Sequence, residues 1–241
     1  MANGLVRGEA IKPGDSRGGA GSLREPGGFR IVVMASGRGT NFQAIIDAVE
    51  RGKLRARVAG LVCDNPDAPA LGRAAVHGVS AVVVTREGYP SRAEFERALV
   101  GAVRGFSPDL VVLAGFMRIL GKTFLEAFPG RVINIHPSLL PAFRGLDAQR
   151  QALEYGVKYS GCTVHFVDEG VDTGPILGQR VVPVMPDDTV ESLAARILEQ
   201  EHELLVECIE AIAEGRVRLE GRRVLVENKV GHGAFLSSAR Y

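Results

Sequence analysis

The stretch Arg30–Val49, RIVVMASGRGTNFQAIIDAV, decides the fold class. Its first part, Arg30–Ala35, is apolar after the arginine, which is typical of a short strand buried on both faces of a sheet. Its last part, Asn41–Val49, carries apolar residues at helical spacing along one side. A short turn that contains two glycines joins the two parts. The stretch therefore predicts a strand followed by a helix, the repeating unit of a parallel sheet.

The same alternation continues along the chain. We predict strands at Arg57–Cys63, Ala81–Val84, Leu110–Ala114 and Val132–Ile135, and helices at Ala70–His77, Arg92–Val103 and Gly121–Phe128. Strands that alternate with helices imply right-handed crossovers and a mostly parallel central sheet with helices on both faces. The later elements predicted are antiparallel neighbours at Ser160–Val167 and Ile176–Val184, a long helix at Val190–Glu214 and a hairpin at Arg218–Val226. The sequence therefore predicts an α/β fold whose C-terminal sheet portion is antiparallel.

Composition excludes several classes of protein. The chain has 241 residues and a formal net charge of +1, so it lacks the excess positive charge that would attract nucleic acid or an anionic membrane. No apolar run approaches the roughly 20 residues that cross a bilayer. The three cysteines are widely spaced and form no zinc pattern, and no set of side chains has metal-ligand spacing. We expect a cytoplasmic protein that binds no metal, membrane or nucleic acid.

The N-terminal segment differs from the rest of the chain. Residues 1–28 hold eight of the 30 glycines and few large aliphatic side chains. Such a segment buries too little surface to offset its ordering entropy, so we expect a disordered tail followed by a single domain over residues 29–241. A misassigned upstream start codon would explain the segment equally well. The sequence leaves open whether the protein is a monomer or a homodimer.

The turn Ser36–Asn41, SGRGTN, is the first candidate binding site. Glycines there let the backbone approach a ligand, and the N-terminus of the following helix offers N–H groups and partial positive charge to a phosphate. The pattern lacks both the G-x-G-x-x-G spacing and the Lys-Ser/Thr end of a P-loop. A tight turn with a capped helix accounts for the same residues, and the two interpretations stay open.

A stronger signal is the stretch Asn134–Pro141, NIHPSLLP, directly after a predicted strand. Alternation along the strand places Asn134 and His136 on the same side, at the end of the sheet where ligands of parallel sheets bind. An amide that stabilises an oxyanion beside an imidazole that moves protons suits acyl transfer. A lone histidine at a strand end is also a common structural residue.

The loop Asp168–Pro175, DEGVDTGP, supplies a candidate third member. Acidic residues and glycines in a loop usually form a turn. The functional interpretation is that Asp172 reaches His136, raises its pKa and fixes its orientation. Sequence spacing does not choose between these two interpretations.

Four motifs together resemble a known family. They are SGRGTN at 36–41, AGFMRIL at 114–120, NIHPSLLP at 134–141 and VDTGP at 171–175, and in this order they resemble the phosphoribosylglycinamide formyltransferases. The resemblance implies a Rossmann-like formyltransferase fold and a folate-dependent reaction of de novo purine biosynthesis. In it, 10-formyltetrahydrofolate, as cosubstrate, gives its formyl group to the amine of 5'-phosphoribosylglycinamide. The products are formylglycinamide ribonucleotide and tetrahydrofolate.

The resemblance also implies a role for each matching residue. Asn134, His136 and Asp172 would be catalytic, and Asn134 would also contact the formyl group of the donor. The folate would be bound by Arg92, Met117, Arg118, Ile119 and Leu120. The ribonucleotide would be bound by Gly39, Thr40, Asn41, Pro137 and Glu201. Both partners implied are small molecules.

Alternatives remain at this stage. Methionyl-tRNA formyltransferase shares the Asn-x-His and Asp pattern but normally has a basic C-terminal domain, and Arg144-Gly145 resembles its loop. Formyltetrahydrofolate deformylase normally has an N-terminal regulatory domain. A noncatalytic nucleotide-binding module would use the glycine turn alone. Asp147 stands where the family pattern has a histidine, and this departure affects the expectation for that loop.

Overall fold

The computed structural model describes residues 28–227. The predicted disordered tail, apart from Gly28, lies outside the described residues, as does the end of the predicted domain after residue 227. The strands are β1 Arg30–Ala35, β2 Arg57–Cys63, β3 Ala81–Val83, β4 Leu110–Leu113, β5 Val132–His136, β6 Tyr159–Phe166, β7 Ile176–Pro183, β8 Val217–Glu220 and β9 Arg223–Val226. The helices are α1 Thr40–Glu50, α2 Pro69–Val76, α3 Arg92–Gly105, α4 Lys122–Ala127, α5 Ala148–Tyr155 and α6 Val190–Ala213.

Seven strands form one sheet in the order β3-β2-β1-β4-β5-β6-β7. The pairs from β3 to β5 are parallel, whereas β5–β6 and β6–β7 are antiparallel. The predicted fold class, a mostly parallel α/β sheet with an antiparallel C-terminal portion, is confirmed. The chain moves outward from β1 to β3 and then returns to β4 on the other side of β1. This reversal places a crevice at the carboxyl ends of β1 and β4, where open α/β sheets bind their ligands.

Both faces of the sheet are buried. On β1, Ile31 and Val33 point into a core completed by α1, α2 and α6, whereas Val32 and Met34 point into a second core against α3 and α4. All four side chains have no exposed surface. A strand buried on both faces needs a continuous apolar run rather than alternation, which explains the composition of RIVVMA.

Within residues 28–227 the structure adds one α-helix, α5, and a short 3-10 helix, Arg86–Gly88, to the predicted elements. Helix α5 was not predicted, because only Ala148 and Ala152 are buried along it, and such small residues give little amphipathic signal. Strand β3 ends one residue earlier than predicted, and β5 continues to His136. The predicted hairpin is the pair β8–β9. Within residues 28–227, no helix is long and apolar enough to span a membrane.

A capping box begins the long helix α6. The Thr189 hydroxyl accepts the Ser192 N–H at 3.2 Å, and the Ser192 hydroxyl accepts the Thr189 N–H at 2.9 Å. Thr189→Ala is expected to destabilise the fold by about 1 kcal/mol, because it leaves a helix N–H without its cap. For a domain of this size the melting temperature should fall by about 2–4 °C, measured by circular dichroism. The matched control is Thr85→Ala, since the Thr85 side chain makes no cap hydrogen bond. An equal loss of stability in both variants would contradict the prediction.

Candidate functional site

Strand β5 positions two of the candidate catalytic side chains. Asn134 is half-buried and His136 is buried, and the period of the strand places both on one side. The antiparallel neighbour β6 sets His165 opposite Asn134 and Thr163 opposite His136. Four polar side chains therefore lie near the carboxyl end of β5.

Asp172 joins these side chains into one network. Its Oδ2 lies 3.3 Å from His136 Nδ1, and its Oδ1 lies 3.6 Å from His165 Nε2. Asn134 Nδ2 lies 3.2 Å from the same His165 nitrogen. The structure thus brings the three candidate catalytic residues together and adds His165, which the sequence analysis did not select. The alternating pattern of Ser160–Val167 predicted the strand that contains His165. Only the pairing of that strand with β5 shows that His165 lies opposite Asn134.

Hydrogen bonds fix the orientation of the Asn134 amide. His165 Nδ1 lies 2.8 Å from the Phe166 carbonyl, which only accepts, so Nδ1 carries a hydrogen. In the neutral ring, Nε2 then accepts one N–H of Asn134. An amide nitrogen has two hydrogens, so the second N–H of Asn134 is left for a ligand. This donor suits an oxyanion that forms at the end of β5.

Both ring nitrogens of His136 face acceptors. Nε2 lies 2.9 Å from the Phe143 carbonyl, and Nδ1 faces Asp172. Burial lowers the pKa of His136 below its usual value, while the Phe143 carbonyl and the Asp172 carboxylate oppose that shift by stabilising the imidazolium. Removal of either acceptor would therefore lower the pKa further.

The Asp172 carboxylate is held in place from several sides. Its backbone is in the left-handed region, with φ of 51°, and its Oδ2 accepts the Gly145 N–H at 2.8 Å. Burial alone would raise the pKa of Asp172, but its contact with His165, the hydrogen bond from the Gly145 N–H and the charge of His136 outweigh burial, and the pKa lies below its usual value. Asp172 is therefore ionised at neutral pH and favours a positive charge on His136.

The loop that follows His136 is anchored by buried hydrogen bonds. The Thr163 hydroxyl donates to the Ser138 carbonyl at 2.7 Å and accepts the Leu140 N–H at 3.1 Å. Pro137, half-buried, lies at the start of this loop beside His136. Asp147, where the family pattern has a histidine, is exposed and immediately precedes α5. The anchoring holds the Phe143 carbonyl and the Gly145 N–H against the site.

The glycine turn lies at the carboxyl end of β1 and leads into α1. Gly39 has φ of 69°, and a Cβ there would lie 2.7 Å from the Ala70 Cβ, so the turn requires glycine. No side chain caps α1, whose first residue is Thr40. The N–H groups of the first helical turn therefore remain for a ligand, as anion binding at a helix N-terminus requires. Arg73 steadies the turn through a 2.9 Å hydrogen bond to the Arg38 carbonyl.

A buried pair links α1 to α6 beside this turn. Asn41 Nδ2 donates to Glu201 Oε2 at 2.7 Å, and both side chains are buried. Burial raises the pKa of Glu201, while the hydrogen bond from Asn41 and the charge of Arg38 act against that shift. Asn41 Oδ1 is buried and has no hydrogen-bond partner within residues 28–227. The structure thus places Glu201 next to the glycine turn although 160 residues separate it from Asn41.

The segment after β4 exposes most of its candidate residues. Met117 and Ile119 are 65% and 59% exposed, which is unusual for side chains of this size. Arg118 is anchored by Asp64, whose Oδ2 accepts its Nε at 2.6 Å. Leu120 differs, because it is 3% exposed and belongs to the second core. A ligand on this segment would therefore contact the side chains before Leu120 and the backbone at it.

Arg92 lies at the start of α3 beside the same segment. Its Nη2 donates to the Ile119 carbonyl at 3.1 Å. Across the described part of the chain, no three His, Cys, Asp or Glu side chains are grouped as a metal site requires. The candidate residues thus form three neighbouring parts, namely the polar network on β5, the glycine turn with Glu201, and the exposed segment after β4.

Comparisons with known proteins agree with this geometry. Residues 29–209 match the family described as formyl transferase. A phosphoribosylglycinamide formyltransferase from Bacillus subtilis (strain 168) is 44% identical over 173 residues, which cover 72% of this chain and 89% of the relative. The chain belongs to the phosphoribosylglycinamide formyltransferase family. It is a formyltransferase, and the resemblance inferred from the four motifs is confirmed.

Solved structures of this formyltransferase family show the same fold. Glycinamide ribonucleotide transformylase 1 from Symbiobacterium toebii is 52% identical with a TM-score of 0.82, and the match covers 83% of this chain and 94% of that one. A formyltetrahydrofolate deformylase from Pseudomonas syringae is 28% identical with a TM-score of 0.78, and the match covers 83% of this chain and 66% of that one. The fold is shared by both enzymes, whereas sequence identity is clearly higher to the transformylase.

Proposed function

We propose that this formyltransferase transfers the formyl group of 10-formyltetrahydrofolate to the amine of 5'-phosphoribosylglycinamide. The observation that carries the proposal is the network of Asn134, His136 and Asp172 at the carboxyl end of β5, on the same edge of the sheet as a glycine turn suited to phosphate. The products are formylglycinamide ribonucleotide and tetrahydrofolate. The names of the relatives support this choice of acceptor.

The catalytic residues act on the developing oxyanion. The substrate amine attacks the formyl carbon, and the second N–H of Asn134 donates to the oxygen that becomes negative. Protonated His136, with Asp172 beside it, adds positive charge at the same place. A proton then moves from the attacking nitrogen to the folate nitrogen that leaves, through water held by Asp172. The unprotonated amine is itself a nucleophile, so no covalent enzyme intermediate is needed.

The other two parts of the site bind the substrates. Gly39, Thr40 and Asn41 would hold the ribonucleotide phosphate through backbone N–H groups, and Glu201 and Pro137 would contact the rest of that substrate. Met117, Arg118, Ile119 and Leu120 would hold the folate. Arg92 would lie near the glutamate end of the folate, where a guanidinium suits a carboxylate.

Several broader properties are also part of the proposal. Residues 29–241 would form one catalytic domain that works as a monomer or homodimer on small molecules, without a metal. All three cysteines are buried free thiols, which is consistent with a reducing compartment such as the cytoplasm.

The proposed function is tested by the acceptor requirement. The rate at which 10-formyltetrahydrofolate is consumed is measured by absorbance. This rate is expected to depend on the concentration of 5'-phosphoribosylglycinamide and to reach a maximum as that concentration rises. Donor hydrolysis at the same rate without the ribonucleotide would instead support a deformylase and overturn the proposal.

The pH dependence of kcat is expected to change in Asp172→Asn. Loss of the carboxylate removes an interaction that raises the pKa of His136, so the pKa of His136 falls and its proton is lost at lower pH. Because the proposed mechanism uses the imidazolium, the high-pH limb of the profile should move to lower pH. The matched control is the exposed Asp187, for which Asp187→Asn should leave the profile unchanged. A high-pH limb that stays in place in Asp172→Asn would contradict the role of Asp172.

A further inference from the structure

Glu96 is a buried carboxylate that the proposed mechanism leaves without a role. It lies in the second turn of α3, among core residues, and is only 4% exposed. Burying an ionised carboxylate is costly unless donors compensate it. Neighbouring residues must therefore donate hydrogen bonds to the Glu96 carboxylate. Which residues these are indicates the role of Glu96.

Two donors converge on one oxygen of Glu96. Arg92 Nε donates to Oε1 at 2.9 Å, and the Gly121 N–H donates to the same oxygen at 3.0 Å. Arg92 in turn donates through Nη2 to the Ile119 carbonyl. Glu96 thus joins the start of α3 to the end of the exposed segment after β4.

The geometry leaves part of Arg92 for a ligand. The Arg92 side chain is 59% exposed although Glu96 is buried, so its Nε and Nη2 bond to the protein while much of the guanidinium remains open to solvent. A free arginine side chain loses rotamer entropy when it binds an anion, and a carboxylate that holds it beforehand removes part of that cost.

We propose that Glu96 is a positioning residue for the folate. It would hold the Arg92 guanidinium and the backbone of Ile119–Gly121 in the arrangement that receives the glutamyl carboxylate of the donor. This inference rests on the proposed function, because it takes Arg92 to lie at the glutamate end of the folate. Glu96 itself touches no substrate and acts through Arg92.

The test compares two formyl donors, 10-formyltetrahydrofolate and 10-formyltetrahydropteroate, which lacks the glutamyl group. Glu96→Gln keeps the volume and an acceptor for the Gly121 N–H but removes the charge that holds Arg92. KM for the complete donor is expected to rise about tenfold, with kcat little changed, because a hydrogen bond between charged groups is lost. KM for the truncated donor should change by less than about twofold. KM for the ribonucleotide should stay the same.

Companion variants separate positioning from a purely structural role. Arg92→Ala should lose the preference for the complete donor, measured as the ratio of the two KM values, to the same extent. In the double variant Arg92→Ala/Glu96→Gln, KM for the complete donor should rise by no more than about twofold further. Glu96→Asp keeps the charge at this position. Its preference for the complete donor is expected to lie between that of the wild type and that of Glu96→Gln. Melting temperatures are recorded for every variant.

The outcomes are distinct. If Arg92→Ala loses the preference while Glu96→Gln and Glu96→Asp keep that of the wild type, the inference about Glu96 is wrong and the proposed function stands. Equal rises in KM for both donors in Glu96→Gln would show a structural role only and also overturn the inference. If the wild type transfers formyl from neither donor to the ribonucleotide, the proposed function itself fails.

Discussion

Asn134→Ala is expected to lower kcat by about 10²–10³-fold, because loss of one oxyanion donor typically has that effect. The structure gives the reason for this residue in particular. One N–H of the Asn134 amide is directed to His165 Nε2 at 3.2 Å, which fixes the second N–H toward the end of β5. The interaction strengthens only as charge develops, so kcat and kcat/KM should fall together. Steady-state kinetics with both substrates measure this.

Two controls accompany the Asn134 variant. Its melting temperature should stay within a few degrees of the wild type, since Asn134 is only half-buried. KM for each substrate should also change little. A variant that keeps near wild-type kcat but binds the donor poorly would show that Asn134 holds the ground state and would remove it from the proposed catalytic set.

His136→Ala is expected to have an effect of similar size, about 10²–10³-fold on kcat. The substitution removes the buried imidazole whose protonated form Asp172 and the Phe143 carbonyl stabilise. With the titrating imidazole gone, the remaining activity should lose the high-pH limb that we assign to His136. The measurement is the kcat profile from acidic to neutral pH, because burial lowers the pKa of His136.

A half-buried histidine outside the site provides the matched control for His136. His77 contacts Glu50 through Nδ1 at 2.7 Å and lies outside the proposed site. His77→Ala should therefore retain wild-type kcat and the wild-type pH profile. If His136→Ala turns over at the rate of His77→Ala, the imidazole is not part of the reaction.

Periodicity predicted most of the sheet because the core demands it. Strands such as Arg30–Ala35 and Arg57–Cys63 agree with the structure at both ends, since a strand buried on both faces must be apolar throughout. Helix α5 escaped prediction because it buries two alanines and starts after Asp147, which offers no side-chain cap. Elements held by a few tertiary contacts leave little trace in local sequence.

The site was predictable where its residues share a motif. Asn134 and His136 stand two apart on one strand, so alternation alone places them together. His165 and Glu96 were missed because their partners come from other elements, and a polar residue within an apolar run gives no sign of what it contacts. The burial of Leu120 also depends on packing. The sequence grouped Leu120 with Met117, Arg118 and Ile119, and nothing in that motif indicated that only Leu120 belongs to the core.

The central claim concerns where the formyl group goes, and label tracing tests it most directly. The wild-type protein is incubated with 10-formyltetrahydrofolate carrying a ¹³C-formyl group, together with 5'-phosphoribosylglycinamide, initiator methionyl-tRNA and water as competing acceptors. Mass spectrometry then locates the label. We predict that nearly all of it appears on the amine of the ribonucleotide, with one formyl group transferred for each tetrahydrofolate released. Label on the tRNA, or released as formate at a rate independent of the ribonucleotide, would contradict the account.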